Sequence, residues 1–355
     1  PHMRNDVFHV DNVIYRLILA DKDAEILSEG ELVDATEVEM KFAGHEIKAL
    51  DAYVEHLPDG LCSPLTVCFD YKGFRVQATA EMPIDPSENA VYGRDAHRAV
   101  RTAETAEYQQ AFTRAVREAS KKMNLADHLV CWRRDRPQII STSSDLKGFL
   151  GSDQRFYLYS TERTFPVDVS NGTSQPVHRQ YCRLRPELVR SFHQPLSPDA
   201  FRDGNGADAE SHEFTVSQAC SHLQKNVIPH LVSKLDLMTL KPYNGPTLKR
   251  LLHQHGVNVR YLGTIAEKTH LPHIRDLCEV EMVARTCKQV LGKYMREAAR
   301  KLLKKSNFYC LQDPLFEDSK TVDDKFGENV VDFFNLVLGT GPQSAEYWDK
   351  VLRRS

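Results

Sequence analysis

Residues 253–263 read His253-Gln254-His255-Gly256-Val257-Asn258-Val259-Arg260-Tyr261-Leu262-Gly263. A glycine followed two positions later by an asparagine is the chemistry of a corner between two helices. Gly256 can take the positive φ that ends one helix. Asn258 can accept an amide hydrogen bond at the start of the next. Arg260 is placed to form an ion pair across the corner, with Leu251, Val257, Val259 and Leu262 as core. The sequence on both sides is helical in texture. Upstream, Phe214, Ala219, Leu223, Val227 and Leu231 recur at roughly helical spacing, and Gly245-Pro246-Thr247 opens another helix with proline in its first turn. Downstream, residues 273–305 predict the longest helix, and 324–338 and 344–353 two more.

Before residue 202 the periodicity changes. Residues 65–83 (LTVCFDYKGFRVQATAEMP) predict a hairpin, with Val67, Phe69 and Tyr71 alternating, Lys72-Gly73 as the turn, and Phe74, Val76 and Ala78 on the return. Residues 7–20 read as one or two strands, and 137–160 as two or three. Residues 102–125 predict an amphipathic helix with Tyr108, Phe112, Val116 and Met123 along one side. Residues 21–39 carry eight acids against Lys22 and read as a solvated acidic helix face, continued by an apolar stripe to Leu57. The expected fold is α+β: an N-terminal mixed α/β platform with antiparallel hairpins, followed by an all-α lobe. The expected divisions are 1–3, a cloning remnant; 4–201, the α+β half; 202–210 (RDGNGADAE), a linker; 211–320, the helical half; and 321–355, C-terminal helices.

Composition limits the function classes. The 355 residues carry 46 Lys+Arg against 49 Asp+Glu, a net charge of −3, with 41 % hydrophobic residues. This balance excludes a mainly disordered chain and a globally basic nucleic-acid binder, but not a local cationic patch. No run of 18 apolar residues exists, so no transmembrane segment is expected. Pro1-His2-Met3 has no apolar leader character and reads as a remnant before Arg4. The eight cysteines are scattered without a C-x-x-C pair, which points to reduced thiols and a cytoplasmic location.

The chemical motifs are sparse. There is no phosphate-binding G-x-x-x-x-G-K-[ST] loop and no G-x-S-x-G elbow. Gly339-Thr340-Gly341 follows a predicted helix rather than a strand, so it reads as a cap and not a dinucleotide loop. His253, His255, His270, His273 and Cys278 cluster in sequence, but Pro272 breaks the His270/His273 pair and no zinc-finger spacing recurs. No metal, cofactor or catalytic residue is therefore expected. The clearest surface candidate is the helix of 285–305. Lys293, Arg296, Arg300 and Lys304 fall at 3-4-4 spacing on one face, with Lys301 and Lys305 beside them. Such a row suits RNA phosphates or an acidic partner.

Several segments together resemble one family. His253-x-x-Gly256-Val257-Asn258-x-Arg260-x-Leu262-Gly263 is similar to a signature of the CLU domain of clustered-mitochondria proteins. Phe69–Val76 resembles that family's V-D-Y-x-G-[FY]-R-V hairpin, and Val91-Tyr92-Gly93 its V/I-Y-G step. Gly151–Tyr157 with Arg163-Thr164-Phe165-Pro166 resembles G-x-D-G-R-x-Y … R-x-F-P, and Leu184–Leu188 and Ser197–Phe201 fit in order. The resemblance covers roughly 50–305. It departs at Gln154, where the family has Gly, and at Ser160, where it has Asp. The tetratricopeptide array that usually follows is absent here.

The resemblance implies a non-catalytic interaction module acting in mitochondrial distribution. It further implies binding of mRNAs for mitochondrial proteins, ribosome-associated complexes and protein partners. In that reading Lys293, Arg296, Arg300, Lys301, Lys304 and Lys305 form the docking face. His255, Gly256, Asn258, Arg260, Asp153 and Arg163 form a structural corner or pocket. Two alternatives stand beside it. One is a protein scaffold that binds no RNA. The other is a divergent enzyme or binding domain for a phosphorylated small molecule, which requires carboxylates converging around Asp153, Glu162 and Arg163.

Overall fold

A computed structural model describes residues 7–19, 25–28, 31–85, 89–94, 96, 103–132, 137–170, 182–202, 207–237, 242, 244–305 and 319–349. Strands and helices alternate up to residue 159, and every regular element from residue 186 onward is helical. The fold is α+β, as the pattern of periodicities requires.

The first strands are β1 (Val7–Val10), β2 (Val13–Ile18), β3 (Glu25–Ser28) and β4 (Glu31–Asp34), followed by the helix α1 (Ala35–Val54). The β3–β4 hairpin corrects the reading of 21–39 as helix: helical structure begins only at Ala35. Acidic composition marks solvent exposure and does not choose between helix and strand. The alternation Ile26, Leu27, Leu32, Val33 around Glu29-Gly30 carried the hairpin signal.

Next come β5 (Leu61–Cys62), β6 (Thr66–Tyr71), β7 (Phe74–Ala80) and β8 (Ala90–Tyr92), then α2 (Ala103–Lys122). Lys72 and Gly73 have φ of 48° and 84°, so both central residues of the β6–β7 turn are left-handed. That is the geometry that matches strand twist in a two-residue hairpin loop. The remaining strands are β9 (His128–Val130), β10 (Gln138–Ile140), β11 (Lys147–Leu150) and β12 (Phe156–Tyr159). One sheet has the order β1-β2-β7-β6 and another β5-β12-β11-β8, in which β12 and β5 run parallel. Helix α2 buries Phe112, Val116 and Ala119, and Met123 is buried just past its end, largely the stripe its spacing predicts. A Cβ on Gly148 of β11 would lie 2.2 Å from the Phe112 ring, so only glycine admits that ring at the sheet.

The helical half contains α3 (Pro186–Ser191), α4 (Ala209–His222), a π turn (Leu223–Val227), α5 (Ile228–Leu237) and α6 (Gly245–Gln254). After a 3-10 turn (Val259–Tyr261) come α7 (Leu262–Lys268), α8 (Pro272–Lys305), α9 (Ser319–Leu338) and α10 (Pro342–Tyr347). Pro272 opens α8, the position where its missing N–H matters least. His270 therefore precedes the helix that holds His273.

The chain forms two compact units. One comprises Pro1–Cys68, Gln77–Lys241 and Pro246–Tyr261; the other comprises Phe69–Val76, Pro242–Gly245 and Leu262–Ser355. This corrects the division expected at 202–210. Residues beyond that stretch remain with the first unit: Asp208 accepts the Leu129 N–H at 3.0 Å, and the α4–α5 residues Val216, Ala219, Ile228 and Leu235 are fully buried. A Gly/Asp-rich stretch signals a turn, but whether the chain separates there depends on what packs after it.

Candidate functional site

The 253–263 corner forms as its residues dictate. Helix α6 ends at Gln254 and Gly256 follows with φ +72°. Its N–H donates to His253 O at 2.9 Å, and the Val257 N–H to Leu252 O at 2.9 Å. A Cβ on Gly256 would lie 2.6 Å from Leu188 N, so the close approach of α3 demands glycine as firmly as the dihedral does. Asn258 Oδ1 accepts the Arg260 N–H at 3.1 Å and opens the 3-10 turn. His255 lies against the end of α5. Its Nδ1–H donates to Leu251 O at 2.9 Å, and its Nε2 accepts from Lys234 Nζ at 3.1 Å, which places the proton on Nδ1.

Arg260 reaches a partner 92 residues away in sequence. Its guanidinium pairs with Asp168 and also donates to Arg183 O at 3.2 Å. Tyr261 donates its hydroxyl to the same Asp168 oxygen at 2.6 Å. Asp168 is 4 % exposed. Burial alone would raise its carboxyl, but Arg260 and the bonds from Ser170 and Tyr261 hold it below the usual carboxylate range. Burial opposes the Arg260 charge, and Asp168 more than compensates, so Arg260 stays protonated. Burial also pushes the Tyr261 hydroxyl above its ordinary value. This cluster ties residues 168, 183 and 260 together.

A second buried network lies within the same unit. Asp199, 3 % exposed, faces His128 Nε2 at 3.0 Å and accepts the Ser144 N–H at 2.8 Å. Burial raises the Asp199 carboxyl, but His128 and Arg202 bring it below the ordinary value. Arg202 forks onto Asp145 at 2.8 Å through both terminal nitrogens. Arg163 approaches the same Asp145 at 3.3 Å and stacks over Phe42. Asp153 sits in the β11–β12 turn, accepting from Tyr157 at 2.7 Å and from the Arg155 N–H at 3.2 Å. Gln154 and Ser160 have φ of 63° and 59°, the left-handed conformation that glycine and aspartate accept more readily. Glu162 lines a water-sized cavity with Lys48 and Arg183. Glu162 and Arg163 share the charge environment of Asp145, whereas Asp153 bonds within its own turn, His255 with Lys234 and Arg260 with Asp168. His253 is half-buried, and burial with nearby Arg185 and Lys249 lowers it to about 4. Among the described residues no group of three or more His, Cys, Asp or Glu could hold a metal ion.

The basic helix requires a correction. Lys293 is exposed on α8, as expected. Arg296 is not: it is 3 % exposed and its Nη1 donates to Gly73 O at 3.0 Å. The tip of the β6–β7 hairpin covers it. A Cβ on Gly73 would lie 2.6 Å from Gly292 O and 2.8 Å from Met295 Cβ, which measures how closely tip and helix approach. Asp70 extends the contact to Lys288 Nζ at 3.1 Å and to Arg75 at 2.9 Å. Burial raises the Asp70 carboxyl, but those two bonds bring it below the ordinary value. Helical spacing placed Arg296 beside Lys293 correctly, but not what covers each. Arg300, Lys301, Lys304 and Lys305 continue α8, and their side chains lie outside the described residues.

The sequence reading did not foresee a cleft of about 750 Å³ in the first unit between α2 and the β8 and β10 strands. Val91, Tyr92, Ala96 and Ile140 contribute its apolar lining, and Trp132 lines it too. On α2, Gln110, Arg114, Arg117 and Lys121 line it at intervals of four, three and four. Those intervals were legible, but attention to the apolar side of the helix passed over its polar one.

Comparison with known proteins agrees with the resemblance. Residues 2–170 match the family described as Clustered mitochondria, and residues 239–349 match the family described as Translation initiation factor eIF3 subunit 135. The corner signature lies in the second match. A Clustered mitochondria protein of Arabidopsis thaliana is 25 % identical over 354 residues, covering 76 % of this chain and 25 % of that protein. A homologue from Neurospora crassa is 24 % identical, covering 67 % and 27 %, and one from Aspergillus terreus is 24 % identical, covering 82 % and 28 %. No solved structure matches the chain. The fold is α+β, with a buried framework around Asp168 and Asp199. Residues 2–170, just under half of the chain, are similar to the clustered-mitochondria family, and the chain spans about a quarter of the length of the curated relatives it matches.

Proposed function

We propose that this chain is a non-catalytic interaction module of a clustered-mitochondria protein, that it contributes to mitochondrial distribution in the cytoplasm, and that it binds messenger RNA. The relatives' name, Clustered mitochondria protein, supports the role in mitochondrial distribution. One observation carries the RNA reading: the stretch similar to a translation initiation factor subunit, 239–349, contains the whole of α8 with its basic C-terminal half. With Arg296 withdrawn, Lys293, Arg300 and Lys304 remain of the row that the sequence spacing gives. Three phosphate contacts to single-stranded RNA give a log–log salt slope of about −2. Titration of the chain with single-stranded RNA at two salt concentrations tests this. Salt-sensitive binding that Lys293→Glu with Lys304→Glu weakens at least ten-fold supports the reading, and salt-independent or absent binding ends it.

A protein scaffold is the second reading. Val331, Phe334 and Leu338 are 58 %, 46 % and 75 % exposed at i, i+3 and i+7 on α9, an apolar row on the outside of a helix. Among the described residues no helix is long and apolar enough to cross a membrane.

A further inference from the structure

We propose that the cleft between α2 and the β8 and β10 strands binds a nucleotide, a planar aromatic ring carrying a phosphate. The cleft belongs wholly to the first unit and shares no residue with α8.

Its size is the first argument. About 750 Å³ lies inside the range of small-ligand pockets and is far more than a packing defect provides. Its wall chemistry is the second. Tyr92 and Ile140 are buried and supply apolar surface. The Trp132 indole stands edge-on to Tyr92, with ring centroids 6.5 Å apart, and its N–H donates to Ser144 O at 3.2 Å. That bond fixes the indole as part of the cleft wall. A flat, fixed aromatic wall beside an apolar floor suits a planar ring better than a flexible chain.

The cations are the third argument. Arg117 is paired with Asp127, and the neighbouring Glu118 is engaged by Lys122 at 3.1 Å. Arg114 and Lys121, both exposed, form no ion pair among the described residues. Seven positions apart, they lie on one side of α2 about two turns, roughly 10 Å, from each other, and leave two cations for an anionic group. Gln110, four residues before Arg114, offers an amide that can both donate to and accept from a ring edge.

Trp132 makes the test direct. The chain has two tryptophans, Trp132 and Trp348, so Trp348→Phe leaves a single reporter in the cleft. Adenosine monophosphate, adenosine and inorganic phosphate are titrated separately against that variant of the full chain. The expected result is saturable quenching by adenosine monophosphate, at least ten-fold weaker binding of adenosine, and no quenching by phosphate. Arg114→Glu with Lys121→Glu should weaken the nucleotide at least ten-fold without moving the melting temperature, because both side chains are exposed. Three results would overturn the proposal: no quenching at millimolar nucleotide, equal affinity for adenosine, or unchanged affinity in the double variant. A failure here leaves the RNA reading of α8 standing, since that is measured with RNA and with substitutions in the other unit.

Discussion

The 253–261 corner and the α8 helix were both read from short-range spacing, and they fared differently. In the corner, the backbone roles of Gly256 and Asn258 are local, and the structure realises both within three residues. On α8 the same kind of reasoning set Lys293 and Arg296 on one face, yet one is exposed and the other lies under a hairpin 223 residues away. Local rules decide conformation. Exposure is decided by whatever else arrives, and a charge is no guarantee of solvent when a carbonyl oxygen is waiting for it.

The largest effect should come from the part of the corner that is not local. Arg260→Met leaves the Asp168 carboxylate buried without its counter-charge, and such unpaired charges cost about 3–5 kcal/mol. Chemical denaturation should show that loss, and restoring part of it with Asp168→Asn in the Arg260→Met background would locate the cost in the abandoned carboxylate. If Arg260→Met alone is neutral, the corner is held by its backbone and the ion pair is incidental.

A smaller effect should separate the two cations of α8. Arg296→Met removes a charge-assisted donor from the Gly73 carbonyl and should destabilise by about 1–3 kcal/mol. Lys293→Glu should stay within about 0.5 kcal/mol, as exposed substitutions do. Equal effects at the two positions would erase the distinction between them.

The smallest effect concerns acid. Burial, then Arg185 and Lys249, lowers His253 from 6.5 to about 4. The unfolded chain therefore takes up this proton first, so stability is unaffected above about pH 6.5 and declines as pH falls from 6.5 toward 4. His253→Gln should flatten melting temperature across that window. An unchanged slope would assign the acid sensitivity to other groups.

Much of the fold was legible. The turn at Lys72-Gly73, the buried side of α2, the proline start of α8 and the glycine end of α6 all follow from dihedral limits and period, which act over a few residues. The acidic 21–39 stretch was misread because charge reports solvent contact rather than backbone geometry. The candidate site was less legible. Arg260 was expected to pair across the corner, but it pairs with Asp168, which carries no sequence mark, being one aspartate among many. The α2 cleft needed three separate segments to meet before it existed.

The sequence by itself determined the turns at Lys72-Gly73 and Gly256, the proline start of α8, and that a strand-rich half is followed by a helical one. Those outcomes rest on φ limits of glycine and proline and on side-chain periodicity, and both are properties of neighbours. Only the tertiary structure decided that Asp168 answers Arg260, that the 69–76 hairpin tip covers Arg296, and that α2 and Trp132 enclose a cleft. Burial and ion pairing depend on distance in space, and a linear sequence carries no record of which distant residue will occupy that space.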